Sequence, residues 1–414
     1  MRVLLSAYQC GPAMGSVSQI GWEWYSRLSR RTPVTLVTHV RNRPALEAAG
    51  APLPGSDVVY IDTEWFAGPL YRVASRIFPN SQHSVFLVSS LDFYVYDAAA
   101  VRTLRRRPRP DVTHAVTPVS PLAATRLARL GAPLVLGPWN GGLATPASFP
   151  EFTAADSTWL YPIRELGRVV EAFARSTRRA AAILTASAAT DRALPAAARV
   201  RAQRMLENGV DLDVFRARPW PAAPSPSNPL RVLFTGRLIP VKAVPLILRA
   251  VATLGAEFPI RVRIAGDGPC AAAWKQEANQ LGVAGRVDFL GNLPLCDVAR
   301  EMADAHVFCL PSVRESGGAV LLEAMASARP VIAIAHGGPA EIVDSEVGLA
   351  IPPKGSEFAV AALADAFRDI VARPDAWRAR GEAGRLRAES RYSWDAKIEE
   401  ALRLYRTIEG KSTA

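Results

Sequence analysis

Lysine is nearly missing from this chain: its 414 residues include 44 arginines but 5 lysines, and residues 1–206 contain no lysine at all. Cysteine is as sparse. Cys10, Cys270, Cys296 and Cys309 stand far apart and form no CxxC pair, so neither a zinc site nor a disulfide framework is suggested. The five histidines, His39, His83, His114, His306 and His336, are also scattered, and no metal-ligand spacing arises from them. No run of 18 uncharged apolar residues occurs, so no membrane-spanning helix is expected. The phosphate-loop pattern GxxxxGK[ST] is absent, and GDGP at Gly266 to Pro269 is not a complete GxGxxG. The opening MRVLLSAYQCGPAMG has one arginine and a brief apolar run that breaks at Gly11-Pro12. It reads as a first buried strand rather than a signal peptide, and a cytoplasmic protein is the expectation.

What is present is apolar material for two cores. Hydrophobic residues make up 49% of a chain long enough for two full domains. The net charge of +11 is unevenly spread: residues 1–206 carry 24 Arg against 13 Asp or Glu, and residues 207–414 carry 25 basic against 25 acidic residues. A basic surface attracts nucleic acid, anionic lipid or phosphorylated substrates. An arginine-rich composition accounts for Arg over Lys, but not for the asymmetry between halves.

Strand-like runs recur at 3–7, 34–37, 58–61, 112–116, 134–136 and 183–187, with helical patterns between most of them. After a Pro, Ser and Ala-rich stretch at 207–229 the alternation restarts with RVLFTG, RVRIAG, VDFLG, HVFCLPS, PVIAIA and GLAIPP. Such alternation predicts α/β architecture with parallel sheets covered by helices. The division expected is an N-terminal Rossmann-like domain at 1–206, a linker at 207–229, a C-terminal Rossmann-like domain at 230–392 and a final helix at 393–414. That helix places Ile398, Leu402 and Tyr405 at helical spacing.

In such sheets ligands bind beyond the C-terminal strand ends. Two turns there carry chemistry. In LFTGRLIPVKAVPLI, Arg237 and Lys242 lie five residues apart, where both can reach a phosphate group; two surface cations are the bland alternative. In PSVRESGGAVLLEAMA, glycines and free helix-start amides favour an anion, flanked by Glu315 and Glu323. If most of that segment is helical, the two acids stand about 12 Å apart along the axis, at about 1.5 Å per residue. This is too wide for the carboxylate pair of a glycosidase, roughly 5 Å when retaining and roughly 6.5–9.5 Å when inverting. Two acids near a helix are usually a solvated face, but Glu323 sits in the apolar run VLLEAMA.

Together, GRLxxxK at Gly236 to Lys242, GDGP, the E-x7-E pair, EAMA followed by PVIA, and GGPAEIV resemble the C-terminal domain of family 4 retaining glycosyltransferases. SAYQCGPAMGS followed by GW, and LGPWNGG at Leu136 to Gly142, are similar to N-terminal motifs of a bacterial polysaccharide-associated branch. The likeness runs along the whole chain. It implies the GT-B fold, two Rossmann-like domains facing a cleft, with the C-terminal helix crossing back to the N-terminal, acceptor-side domain.

By the same resemblance Glu323 would hold the ribose of a nucleotide diphosphate sugar, Arg237 and Lys242 its diphosphate, and Glu315 the transferred sugar. Gly236, Gly317, Gly318 and Ala319 would support phosphate or sugar, with Gly15 and Ser16 as phosphate-side candidates in the first loop. His114 is a candidate for the sugar or acceptor side, where many members have a histidine pair; a satisfied strand-end histidine is the alternative. The chain departs from the pattern in having Gly317 where the family often has an aromatic residue, Ala115 and Val116 after His114, and GSVSQ in place of an acidic first loop. Asp211-Leu212-Asp213 spells the metal-binding DxD of another glycosyltransferase fold, but in NGVDLDVF turn capping is the better reading.

The resulting expectation is a retaining, metal-independent hexosyltransferase acting on a glycan or lipid-linked acceptor in cell-surface or exopolysaccharide synthesis. It needs no cofactor beyond its nucleotide sugar donor. Peripheral contact with anionic membrane is expected through the basic half and WFAGPLYRVASRIF at Trp65 to Phe78. A nucleotide-sugar-binding protein without transferase activity, a sugar epimerase and a basic nucleic-acid-binding protein remain as alternatives.

Overall fold

The structure is a computed structural model and describes residues 1–77, 91–144, 146–152 and 170–413, with side chains through 410. Phe78 and His83 lie outside the described residues.

The chain forms two compact units. In the first, seven parallel strands, β1 (Val3–Ala7), β2 (Val34–His39), β3 (Ser56–Ile61), β4 (Val112–Thr117), β5 (Leu134–Trp139), β6 (Ala180–Thr185) and β7 (Ala202–Arg204), pair in the order β3-β2-β1-β4-β5-β6-β7. In the second, β8 (Leu230–Thr235), β9 (Ile260–Ala265), β10 (Val287–Gly291), β11 (Val307–Leu310), β12 (Val331–Ile334) and β13 (Gly348–Ile351) pair in parallel in the order β10-β9-β8-β11-β12-β13. The strands are apolar runs because helices cover both faces; β1, β5, β11 and β12 are buried along their whole length. In each sheet the strand order reverses once, between β1 and β4 and between β8 and β11. Loops leaving those strands diverge there and open a crevice at the C-terminal edge.

All twelve sequence-read strands are found, within a few residues at the ends. β7 was not read. It is three residues long, AQR, and has no apolar run to betray it.

The division of the chain differs from the one read in sequence. The boundary falls at Glu207/Asn208, and the 208–229 stretch belongs to the second unit instead of linking two bodies. Its backbone is claimed by that unit: Trp220 donates its indole N–H to the carbonyl of His306 (2.9 Å), and buried Arg329 donates to the carbonyls of Arg218 (2.9 Å) and Pro219 (3.0 Å). Proline-rich composition marked irregular backbone, not a free tether. Leu143 and the described residues after it to Phe152 also group with the second unit, tied by Ser148 Oγ to the Pro353 carbonyl at 2.8 Å.

The final helix, Trp394–Thr413, passes into the first unit from Lys397 onward. Ile398, Leu402 and Tyr405 are buried, as their spacing requires. Lys397 is also buried, donates to the Leu206 carbonyl, and has its ammonium pushed down to about 8 by desolvation.

Candidate functional site

The switch point of the second sheet gathers most of the candidate residues. β8 ends at Thr235 and runs through Gly236 and exposed Arg237 into the short turn Pro240–Lys242; β11 ends at Leu310 and runs through Pro311 into the loop carrying Glu315. The two loops are joined by a backbone bond from Val313 N–H to the Val241 carbonyl, 2.9 Å. Lys242 Nζ and Glu315 Oε2 form an ion pair, with both side chains mostly buried. Arg237 has no side-chain partner among the described residues and is free for an incoming anion. Two buried hydroxyls at these strand ends, Thr235 and Ser312, also lack partners. Each costs about 1–3 kcal/mol, the kind of local deficit that functional edges carry.

The spacing between the two glutamates is not helical as expected. Helix Ala319–Ala326 begins only after Gly318, whose φ of +64° is left-handed and breaks the path back toward Glu315. Glu315 therefore lies in a loop, set by its bond to Lys242, and the axial estimate of the separation does not apply. Glu323 is on the helix as expected. Its carboxyl has no hydrogen-bond or ion-pair partner among the described residues, and desolvation pushes it up to about 7. The arrangement is one carboxylate already paired with a cation and one half-buried, without a hydrogen-bond or ion-pair partner among the described residues.

The second glycine pair has a steric reason. A Cβ on Gly337 would stand 2.2 Å from the Glu315 carbonyl oxygen, and one on Gly338 2.5 Å from that of Ser316. The loop after β12 thus lies directly against the loop that carries Glu315, and Gly338 N–H donates to the Glu315 carbonyl at 2.9 Å. Both positions exclude any side chain because backbone approaches backbone.

His114 is corrected. It is fully buried on β4, with Nδ1 bonded to the Tyr405 hydroxyl (2.5 Å) and Nε2 to the Gly137 carbonyl (2.7 Å). Trp24 packs edge-on at 4.9 Å between ring centroids. Burial pushes its pKa down to about 3, so it stays neutral and pins the final helix instead of meeting a sugar. Gly15 and Ser16 lie at the start of helix Ser16–Leu28 in the first unit, on the loop after β1, with Gly15 at φ +107°. Asp211 Oδ1 accepts the Asp213 amide at 2.8 Å, which is turn capping.

Sequence reading missed a polar constellation at the C-terminal ends of β1 to β3. Tyr8 directly follows β1, Arg41 lies two residues beyond β2, and Glu64 three beyond β3. The Tyr8 hydroxyl donates to Asp92 Oδ1 at 2.6 Å, Arg41 pairs with Asp92 at 3.2 Å, and Arg41 also pairs with Glu64. Asn42 Nδ2 donates to the Tyr8 carbonyl at 2.8 Å and holds the first loop. Burial, then the Asp92 carboxylate, raises the Tyr8 hydroxyl far above its ordinary value, so it stays a donor. The available signal was polar residues just past strand ends; no local motif joins them.

Comparison with known proteins shows what the chain resembles. The model of the family described as glycosyl transferases group 1 matches residues 221–387, most of the second unit. The chain is 34% identical over 220 residues to a D-inositol 3-phosphate glycosyltransferase of Nocardioides sp., covering 48% of this chain and 47% of that one. A protein of the same description from Mycobacterium marinum is 33% identical over 218 residues, covering 50% and 45%. The chain thus spans about half the length of the curated relatives it matches. Among solved structures, Anabaena Alr3699/HepE in complex with UDP has 18% identity and a TM-score of 0.61, covering 97% of this chain and 99% of that one. WaaG, a glycosyltransferase involved in lipopolysaccharide biosynthesis, has 18% identity and a TM-score of 0.59 over the same shares. The fold is the two-domain α/β fold of these GT-B structures, and residues 221–387 resemble the glycosyl transferases group 1 family.

Proposed function

We propose that the protein is a retaining glycosyltransferase that moves a hexose-like sugar from a nucleotide diphosphate to a glycan or lipid-linked acceptor in cell-surface polysaccharide synthesis. The observation that carries the reading is the Lys242–Glu315 pair bridging the switch point, on the same loops and following helix as exposed Arg237 and half-buried Glu323. The group 1 glycosyl transferase model matches residues 221–387, which include this edge, and Alr3699/HepE has been crystallised with UDP-glucose; a UDP-sugar is the first donor to try.

In this reading Glu323 accepts the ribose hydroxyls and the diphosphate meets Arg237, Lys242 and the amides from Gly317 to Ala319. Arriving diphosphate competes for Lys242, which frees Glu315 to accept a hydroxyl of the transferred sugar. As the bond from sugar to diphosphate breaks, negative charge grows on the leaving oxygen and the sugar becomes oxocarbenium-like. Fixed cations hold that charge without a metal. Gly15 and Ser16, with the Tyr8, Arg41 and Asp92 constellation, offer donors and acceptors on the first unit for the phosphate side or the acceptor's hydroxyls.

Peripheral membrane contact fits helix Glu64–Ile77, where Trp65, Tyr71, Val73 and Ile77 are exposed beside Arg72 and Arg76. No described helix is long and apolar enough to cross a membrane.

The test is a screen of nucleotide sugars for transfer and hydrolysis, with anomeric configuration read by NMR. Turnover with a retained anomer supports the proposal. Binding with no turnover under any acceptor favours a sugar-nucleotide-binding protein instead.

A further inference from the structure

The first sheet has an opposite edge, which the donor reading leaves unused. At the N-terminal ends of β1 to β4 lies a cavity of about 470 Å³. Arg2, Arg105, Arg107, Arg109 and Arg129 line it, against the single carboxylate of Asp57. Asp57 pairs with Arg107, and Arg109 donates to the Gly131 carbonyl. The side chains of Arg2, Arg105 and Arg129 have no hydrogen-bond or ion-pair partner among the described residues. Between them lie the apolar Leu4, Val34, Leu104 and Leu130 and the polar Thr35 and Ser56.

Two ordinary effects put arginine at this edge. Helices end here, and a cation beside a helix C-terminus offsets its partial negative charge; Arg105 follows helix Asp92–Leu104 directly. The chain is also arginine-rich. Neither effect by itself sets five guanidinium groups around one concavity with one acid, and like charges gathered there repel each other, the more so at low salt. A bound anion of more than one charge relieves that repulsion. Planar guanidinium forks match phosphate oxygens, and the volume lies in the range of small-molecule sites, about 300–1,000 Å³.

We propose that this cavity binds a phosphate-bearing anion, at a site distinct from the one for the nucleotide sugar. The same chemistry is offered by a free polyphosphate and by a phosphomonoester lipid headgroup, and the experiment separates them. Full-length protein carrying Arg237→Ala, which weakens any phosphate binding at the donor edge, is titrated calorimetrically with inorganic pyrophosphate at about 0.15 M salt. The same protein is floated with phosphatidylcholine vesicles with and without phosphatidic acid. Each is repeated with Arg105→Ala/Arg129→Ala, two exposed positions, and with Arg106→Ala, an exposed neighbour that does not line the cavity. Circular dichroism checks that each variant is folded.

The expected result is a loss of roughly ten-fold or more in affinity in the double variant and little change in Arg106→Ala. Pyrophosphate binding with that pattern makes the ligand a free anion; selective flotation with phosphatidic acid, lost in the double variant, makes it a headgroup. Absence of both, or equal weakening by Arg106→Ala, overturns the proposal and leaves a diffusely charged edge.

Discussion

Glu323 and Glu315 differ in what each can touch. In the proposed reading Glu323 binds the part of a donor shared with the spent nucleotide diphosphate, so Glu323→Ala should weaken affinity for that product by roughly 10 to 150-fold, the loss of a charge-assisted hydrogen bond worth about 1.5–3 kcal/mol. Glu315, which in that reading meets the sugar, should matter little for the bare nucleotide and strongly for turnover. Calorimetry beside rate measurement on both variants decides; equal weakening by both contradicts the assignment. The raised pKa of Glu323 adds a pH signature. A carboxyl at about 7 in the fold and about 4.5 unfolded favours folding below 4.5, and that contribution is lost as pH rises through 7. Relative to Glu323→Gln, the unliganded protein should lose on the order of 2–3 kcal/mol between pH 4.5 and 8 in urea unfolding. Nucleotide affinity should rise over the same interval, because the ionised carboxylate is the better acceptor. His114 gives the opposite sign: its pKa near 3 against 6.5 unfolded contributes stability above 6.5 that fades as pH falls.

Elements hold these residues by backbone contact, so a small substitution far from charge should reach the chemistry. Gly338 has a helical φ of −55° that alanine tolerates, yet its added methyl would stand 2.5 Å from the Ser316 carbonyl oxygen. Gly338→Ala should push the 315–317 loop off its seat and lower turnover by an order of magnitude or more, since an error of about 1 Å can cost 10²-fold. Nucleotide affinity, which the proposed reading assigns to Glu323, should fall much less. Gly285→Ala, where nothing lies within 4 Å, is the control and should leave both unchanged. If the two substitutions behave alike, the contact between loops does not position Glu315.

At the scale of the whole molecule, the last helix completes the first unit. Removing residues 397–414 would strip Tyr405 from His114, uncovering a buried histidine and leaving its ring nitrogen without that partner. Large aromatic truncations in cores cost about 3–5 kcal/mol, and this deletion removes several buried side chains at once. The shortened protein should therefore unfold at much lower urea, whereas Tyr405→Phe, which deletes only the hydroxyl, should cost about 1–3 kcal/mol. Unchanged stability on deletion would mean the helix is an appendage. Metal dependence is tested at this scale too: if Arg237 and Lys242 neutralise the diphosphate as proposed, turnover should persist in excess chelator. Loss restored by manganese would return Asp211 and Asp213 to consideration.

How much of this was legible follows from the range of the forces involved. Strands, their parallel class, and the placing of Arg237, Lys242 and Glu315 just past strand ends came from local apolar runs and the turns after them, because hydrophobic periodicity and glycine stereochemistry act over a few residues. Glu323 was singled out by one charge in an apolar run. Three things could not be read that way. The meeting of Lys242 with Glu315, 73 positions apart, the burial of His114 under a tyrosine 291 positions away, and the cluster of Tyr8, Arg41 and Asp92 all depend on strand order. The 207–229 stretch looked like a tether because composition reports irregular backbone but not what that backbone packs against. Sequence by itself determined which segments are strands and which residues could bear charge at their ends. Tertiary structure decided which of those charges meet and which are sealed in the core, because pairing and desolvation are set by neighbours that only the folded sheet brings within a few ångströms.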